Sequence, residues 1–346
     1  MATVFFTGYP GFLGSELLPR VLERRPGATA ICIVQPKFAS LARERALPLG
    51  DRVRIVEGDI TSAIDVDASD ITEIFHLAAV YDLSVSRDLG MRVNVDGTRN
   101  VLDFAERQPR LERVHYVSTC YVSGQHPGVF RESDLDVGQR FNNFYEETKY
   151  LAEVEVQRRM AAGLPATIYR PSVVVGDSAT GATQKFDGPY FVMQWILRQP
   201  RIAVLPTTGG TKRYRFNVVP RDFIVRAIDV LSAKAESRGK VYQLADPDPM
   251  TIDETIATIA AATEHRVLRV PLTRSIAKAA LQYVPGVYRL MRIPPAAVDY
   301  FNHPTSYDTT NARADLGIAV PRLRDYIGNL VKFAREHPEI GSGAMV

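Results

Sequence analysis

Three glycines constrain the fold more than anything else in this chain. Gly8, Gly11 and Gly14 follow at a spacing of three directly after the stretch Thr3-Val4-Phe5-Phe6-Thr7. The β-branched and aromatic residues of that stretch predict a short buried strand, and residues 15–24 begin a helical pattern. A strand that turns through glycines into a helix suits a dinucleotide pyrophosphate. The glycines allow a tight turn and close backbone approach, and the helix start offers free N–H groups and positive potential. The spacing alone is a weak signal. Its position after a strand and before an alternating strand–helix pattern makes it a strong one against the alternative, a tight turn without a ligand.

Further strands are predicted at residues 28–34, 52–56, 74–77, 113–118 and 166–170, with helical stretches between them. The alternation implies an α/β chain with a Rossmann-type, doubly wound parallel sheet. The rhythm breaks after Gly176. Residues 186–197 read as an aromatic-rich helix, 202–213 as a loop or short hairpin, 214–219 as a strand, 222–232 as a helix and 240–244 as an edge strand. From Met250 the pattern is mostly helical, with breaks at Pro285, Pro294 and Pro295. The expected organisation is a dinucleotide-binding domain over 1–175, with 214–246 returning to it. A smaller, mostly helical substrate lobe is expected from 176–213 and 247–346.

With 346 residues and 46% hydrophobic composition the chain can bury a large core. A net charge of +3 without blocks of like charge does not call for nucleic acid. Cys32 and Cys120 lie in apolar runs and read as core residues in a reduced compartment, and the six histidines lack ligand spacing, so no metal is expected. No signal segment or long apolar run is evident, which predicts a soluble, cytoplasmic protein. Residues 273–291 mix apolar side chains with Arg274, Lys278 and Arg289. They read either as an amphipathic segment touching a membrane or covering an acyl tunnel, or as an ordinary packed helix.

Several residues carry chemistry. The second strand ends in Val34-Gln35-Pro36-Lys37 without an acid to hold a ribose 2′-hydroxyl, which favours NADP(H) over NAD(H). Lys37 is then either a phosphate contact or a solvated loop lysine. Asp59, past the third strand, would lie near the adenine, and Ala78 and Ala79 leave room under a cofactor. His76 reads as a packed core histidine, and Asn94 and Asn100, on a long helix expected to open at Val93 and run to Arg107, as structural. Ser118 and Thr119 follow a central strand, where active sites of such sheets lie. Tyr145 and Lys149 are four apart on one helix face. The lysine charge is expected to lower the phenol pKa and make Tyr145 a proton donor or acceptor near neutral pH.

Together these residues resemble the extended short-chain dehydrogenase/reductase superfamily across nearly the whole chain. The marks are Thr7-Gly8-x-x-Gly11-Phe12-Leu13-Gly14, Gly58-Asp59-Ile60, His76-Leu77-Ala78-Ala79, Thr119 with Gly124, Tyr145-x-x-x-Lys149 and Arg170-Pro171-Ser172. The stretch Tyr169 to Gly181 is similar to fatty acyl-CoA reductases and thioester-reductase domains, and Phe186-Asp187-Gly188-Pro189-Tyr190 resembles the reductase domain of bacterial two-domain fatty acyl reductases. The resemblance implies Thr119, Tyr145 and Lys149 as the catalytic set, with Ser118 as a substitute for Thr119. It implies Gly8, Gly11, Phe12, Leu13 and Gly14 at the pyrophosphate and Asp59 and Ile60 at the adenine. Leu77, Ala78, Ala79, Pro171 and Ser172 would stand at the nicotinamide end. The implied activity is NADPH-dependent reduction of a fatty acyl thioester, on coenzyme A or a carrier protein, to the aldehyde or on to the alcohol. A long-chain aldehyde is the other implied substrate, and homodimers are common in the superfamily. Three other activities stay open: an aldehyde, ketone or hydroxysteroid dehydrogenase, a nucleotide-sugar epimerase, and a non-catalytic dinucleotide-binding protein.

Overall fold

The computed structural model describes residues 2–66, 69–285, 291, 293–295, 298 and 303–341. Val287, Tyr288, Arg289 and Leu290, part of the amphipathic segment singled out above, lie outside the described residues. The first five strands are β1 (Thr3–Thr7), β2 (Thr29–Val34), β3 (Val53–Glu57), β4 (Ile71–His76) and β5 (Arg113–Val117). Later come β6 (Gly128–Phe130), β7 (Ala166–Pro171), β8 (Val173–Val175), β9 (Ile202–Thr208), β10 (Val218–Pro220), β11 (Val241–Leu244), β12 (Arg266–Leu272) and β13 (Thr305–Tyr307). Seven of them form one parallel sheet in the order β11-β7-β5-β4-β1-β2-β3.

Strands β1, β4, β5 and β7 are buried along their whole length, as expected where helices cover both faces of a parallel sheet. On one face α1 (Gly14–Arg24) lays Leu17, Leu18, Val21 and Leu22 against Ile224 and Ile228 of the later helix Arg221–Ser232. The opposite face is covered by Val101 and Phe104 from the helix Gly97–Glu106, packed on Phe5 and Ile74. The strand order reverses beside β1, between β4 and β2. Ligands of such sheets bind there, at the carboxyl ends of the strands.

The lobe has its own core. Tyr190, Met193 and Ile196 from the helix Pro189–Leu197 pack with Ile256 from Ile252–Thr263 and Leu330 from Leu323–Glu336. Four local expectations change. Residues 202–208 are the strand β9 and not a loop or hairpin, and β12 and β13 interrupt a stretch expected to be mostly helical. The strand expected over 214–219 shrinks to β10, which pairs with β8 outside the main sheet. The long helix expected from Val93 starts at Arg87 and passes through a π-helical turn at Met91–Asp96. β9 pairs in parallel with β12, which lies far along the chain, so local pattern could not reveal the pairing.

Residues 305–316 also pack with the first part of the chain. β13 pairs with β6, and the helix Thr310–Leu316 packs Ala312 and Leu316 into the core beside β11. Glu132 joins the two: its buried carboxylate accepts from Gln243 N at 2.9 Å in β11 and from Asn311 N at 2.6 Å in the helix.

Candidate active site

The glycine turn is a cradle with no room for side chains. Gly8 sits at φ +86°, in the left-handed region that favours glycine. A Cβ on Gly14 would lie 2.4 Å from Gly8 O, and one on Gly11 2.7 Å from it. Only hydrogens fit there, and α1 begins at that point with its amide groups facing the turn. Such a cradle fits the pyrophosphate of a dinucleotide. Thr7 ties the turn to the neighbouring strand end, its Oγ1 accepting from Leu77 N (3.2 Å) and Ala78 N (3.1 Å). His76 is the packed core histidine expected. It bridges Thr7 and Thr98, and burial, aided by the Lys149 charge, pushes its pKa down to about 3.

Past β3, where the adenine is expected, Gln35 donates to Asp59 Oδ2 at 2.8 Å and Thr61 N donates to Asp59 Oδ1 at 2.9 Å. Burial opposes the charge on Asp59, but these hydrogen bonds and the Lys37 charge outweigh it and hold the carboxyl below its usual range. Asn100 fixes Ile60 by donating to its carbonyl (2.8 Å). Asn94 clasps Val80 through its N–H and C=O, so both asparagines serve the backbone.

A cavity of about 350 Å³ runs from the glycine turn to Phe191 and Phe216. Gly8, Gly11, Phe12, Leu13, Gly14, Asp59, Ile60, Leu77, Ala78, Ala79, Pro171 and Ser172 line it, as do Ser118, Thr119, Tyr145 and Lys149. Among the residues singled out from the sequence, Lys37 is the exception. It is exposed, with its ammonium 5.1 Å from the centre of the Phe38 ring, and Phe38 takes the place on the wall. Arg45, which sequence reasoning passed over, donates to Pro10 O (2.8 Å) and Ser15 Oγ (3.0 Å) beside the glycine turn.

Tyr145 and Lys149 project from α5, the helix Phe144–Ala161, capped by Asn143, whose side chain accepts from Glu146 N. The half-buried Tyr145 phenol is pushed up to about 12 by burial, and its hydrogen bond with Thr119 only partly offsets this. This reverses the expected downward shift. Lys149 is buried and turned to the sheet, donating to Tyr116 OH (3.0 Å) and Val117 O (2.9 Å), and burial brings its own pKa down to about 8. At neutral pH Tyr145 is therefore a proton donor.

Ser118 is placed differently from Thr119. Its hydroxyl donates to Glu153 at 2.5 Å. Glu153 forms a fully buried ion pair with Arg170 at 2.6 Å, and Arg170 also donates to Asp134 O. Sequence reasoning missed Glu153, although its signal was available: Tyr145, Lys149 and Glu153 recur every four residues on one helix.

Toward the lobe, Tyr81, Leu83, Tyr121, Val173, Phe191 and Phe216 give the cavity an apolar, aromatic wall. Asp187 is the carboxylate there, held by Lys185 at 3.2 Å, whose ammonium also lies 4.5 Å from the Tyr81 ring centre.

The sequence profile of an NAD-binding family described as "Male sterility protein" matches residues 6–228. The chain belongs to this family. Within it the protein is an NAD(P)-dependent oxidoreductase of the extended short-chain dehydrogenase/reductase superfamily. Among curated relatives, "Glycine betaine reductase ATRR" of Emericella nidulans is 29% identical over 295 residues, covering 76% of this chain and 22% of that protein. The chain spans about a quarter or less of the first such relatives, which include nonribosomal peptide synthetases. A 3-beta-hydroxysteroid dehydrogenase of Mycolicibacterium neoaurum is 26% identical over 335 residues, covering 92% of this chain and 87% of that one. Among solved structures, the terminal R domain from the myxalamid PKS-NRPS pathway superposes with a TM-score of 0.82 at 23% identity. It covers 99% of this chain and 93% of that domain. UDP-glucuronic acid 4-epimerase of Bacillus cereus, in complex with NAD, gives 0.68 at 18%, with 99% of each chain covered. The male sterility family thus shares its fold with reductase domains and epimerases alike.

Proposed function

We propose that this protein reduces a fatty acyl thioester, carried on coenzyme A or a carrier protein, to the aldehyde with NADPH. The observation that carries the reading is the Thr119–Tyr145 hydroxyl pair, set in one cavity between the glycine cradle and an apolar wall. Bound NADPH supplies a hydride to the thioester carbonyl carbon. Thr119 and Tyr145 are fixed donors for the oxygen on which charge develops. Tyr145 gives that oxygen its proton, and Lys149, anchored at Tyr116 and Val117, places positive charge behind the phenol. Breaking the C–S bond of the resulting hemithioacetal, with the hydroxyl proton passing to sulfur, releases thiol and aldehyde; a second NADPH would be needed for the same groups to serve reduction on to the alcohol.

Apolar side chains at Leu83, Val173, Phe191 and Phe216 support an acyl substrate. The reductase domains among the relatives and solved structures support a thioester. The preference for NADP(H) is supported by the end of β2, Val34-Gln35-Pro36-Lys37, which carries no acid for a ribose 2′-hydroxyl. Lys37 and Arg45, both on the helix Pro36–Ala46, add positive charge on that side. Residues 176–213 and 247–300, with the helix Leu323–Glu336, would form the substrate lobe, and a cytoplasmic homodimer through the helices Gly97–Glu106 and Phe144–Ala161 is the expected state.

The test follows oxidation of NADPH and NADH with acyl-CoAs and matching aldehydes. Consumption of NADPH with acyl-CoA is expected, with Tyr145→Phe lowering the rate roughly a hundred- to ten-thousand-fold while NADPH still binds. Full activity in Tyr145→Phe would sink the mechanism. A second reading has one observation in its favour, the near full-length match to a hydroxysteroid dehydrogenase. Turnover of aldehydes or ketones without thioesters would select it.

A further inference from the structure

The lobe carries a face that the cavity chemistry leaves unused. Residues 188–221 hold six arginines and lysines and no aspartate or glutamate, and residues 265–285 hold four and again no carboxylate. The two acid-free stretches meet in the structure, because β9 comes from the first and β12 from the second. They run parallel, with Ile202 opposite Arg266, Val204 opposite Leu268 and Pro206 opposite Val270. The pleat sorts their side chains onto two sides. Ala203 and Leu205 enter the lobe core, whereas Ile202, Val204, Leu268 and Val270 are 43–56% exposed.

The helix Arg274–Tyr283 lies beside β9 and adds Ile276 and Tyr283 to the exposed apolar surface. Its buried side sets Leu281 against Phe191, a residue of the cavity wall. The face therefore adjoins the outer end of the cavity.

Single exposed aliphatic residues are ordinary on a protein surface, but a contiguous set is not. The two stretches themselves carry only cations, of which Arg269, Arg215 and Arg221 are paired with Asp253, Asp248 and Glu16. Arg201 and Arg266 are exposed side by side at the start of the two strands, with Arg266 N donating to Arg201 O at 2.8 Å. Nearby carboxylates come from elsewhere in the lobe, as in the ion pairs Arg269–Asp253 and Arg215–Asp248.

We infer that this face docks on an anionic lipid surface. Ile202, Val204, Leu268 and Val270 enter the boundary of the acyl layer, and Arg201 and Arg266 meet the phosphates. A second copy of the chain would set the same acid-free cations against each other. An acidic protein would answer the cations but would also have to cover a sheet face whose centre presents only aliphatic side chains. Among the described residues no helix is long and apolar enough to cross a membrane, and peripheral docking needs none. The inference stands independently of the reaction proposed above.

Co-sedimentation of the full chain with vesicles tests it without using catalysis. Vesicles of phosphatidylcholine with phosphatidylglycerol are expected to bind the protein at least about tenfold more tightly than phosphatidylcholine alone, with the difference shrinking in high salt. Ile202→Glu/Leu268→Glu and Arg201→Glu/Arg266→Glu are each expected to weaken binding at least about tenfold. All four positions are exposed, and thermal unfolding with NADPH titration checks that both variants fold. No binding to the anionic vesicles, or binding unchanged in both variants, overturns the inference. It is equally overturned if an acidic acyl carrier protein binds through Arg201 and Arg266 while vesicles do not. Self-association lost in Ile202→Glu, again without vesicle binding, would replace the lipid with a second copy.

Discussion

At the glycine-turn end of the cavity backbone atoms set the tightest limit, and at the far end side chains form the wall. Around Gly8 the limit is geometric, since the carbonyl of Gly8 occupies the space where Gly14 would carry a Cβ. Around Phe191 and Phe216 the wall is made of apolar groups that could be exchanged for others of similar volume. A backbone wall recognises what every dinucleotide shares, a pyrophosphate. A side-chain wall can be rebuilt for each substrate. This explains how reductase domains and a sugar epimerase share the fold of this chain.

The contrast can be broken by substitution, starting where the effect should be greatest. Gly14→Ala is expected to abolish NADPH binding and to lower stability by about 3 kcal/mol or more, because the new methyl meets backbone that cannot move. Dye-free thermal unfolding and an NADPH fluorescence titration read both. Normal binding in that variant would show that the cradle has slack and would erase the contrast.

Between the two ends stands the helix Phe144–Ala161, which carries the proposed catalytic pair and is locked by the Glu153–Arg170 pair. Glu153→Ala leaves a fully buried guanidinium without its partner and should cost about 3–5 kcal/mol in denaturant unfolding. A loss below about 1 kcal/mol would mean that solvent reaches Arg170.

Charge at the reaction centre gives a graded effect. Lys149 keeps its proton below about 8, the value to which burial brings it. Tyr145, pushed up to about 12, stays protonated throughout that range. The rate of reduction is therefore expected to fall as pH rises through about 8, with loss of the ammonium and not of the phenol proton. A profile flat well beyond that value would remove the Lys149 charge from the reaction.

The smallest expected effect is at the lobe. Phe191→Ala should raise KM for a long acyl substrate several-fold and leave the NADPH affinity unchanged, since it trims only an apolar wall. An equal change in cofactor affinity would show that the two ends are coupled.

The parts of this division that were legible in the sequence are local ones. β1 and the glycine turn follow from a run of apolar residues and a spacing of three, and α5 announces Tyr145 and Lys149 by their separation of four. Burial is not local, and it decided the points that were misread. The sign of the Tyr145 shift depends on how deeply the phenol sits, which no residue pair reveals. The role of Ser118 depends on Glu153 and Arg170 arriving from another helix and another strand. β9 and β12 needed each other to be recognised, and their Val, Ile and Leu content alone was compatible with loop or helix.

Glu132 has a consequence for the order in which the chain is made. Its carboxylate is sealed in by β11 on one side and by the start of the helix Thr310–Leu316 on the other. A ribosome that has delivered the whole seven-stranded sheet, through Leu244, has still not delivered residues 311 and 312, whose amides complete the acceptor's shell. Until they emerge, the Glu132 carboxylate stands open to water at the edge of the sheet. A fragment ending near residue 250 would lack those two donors and the cover of the helix Thr310–Leu316, so it is expected to be less stable than the full chain.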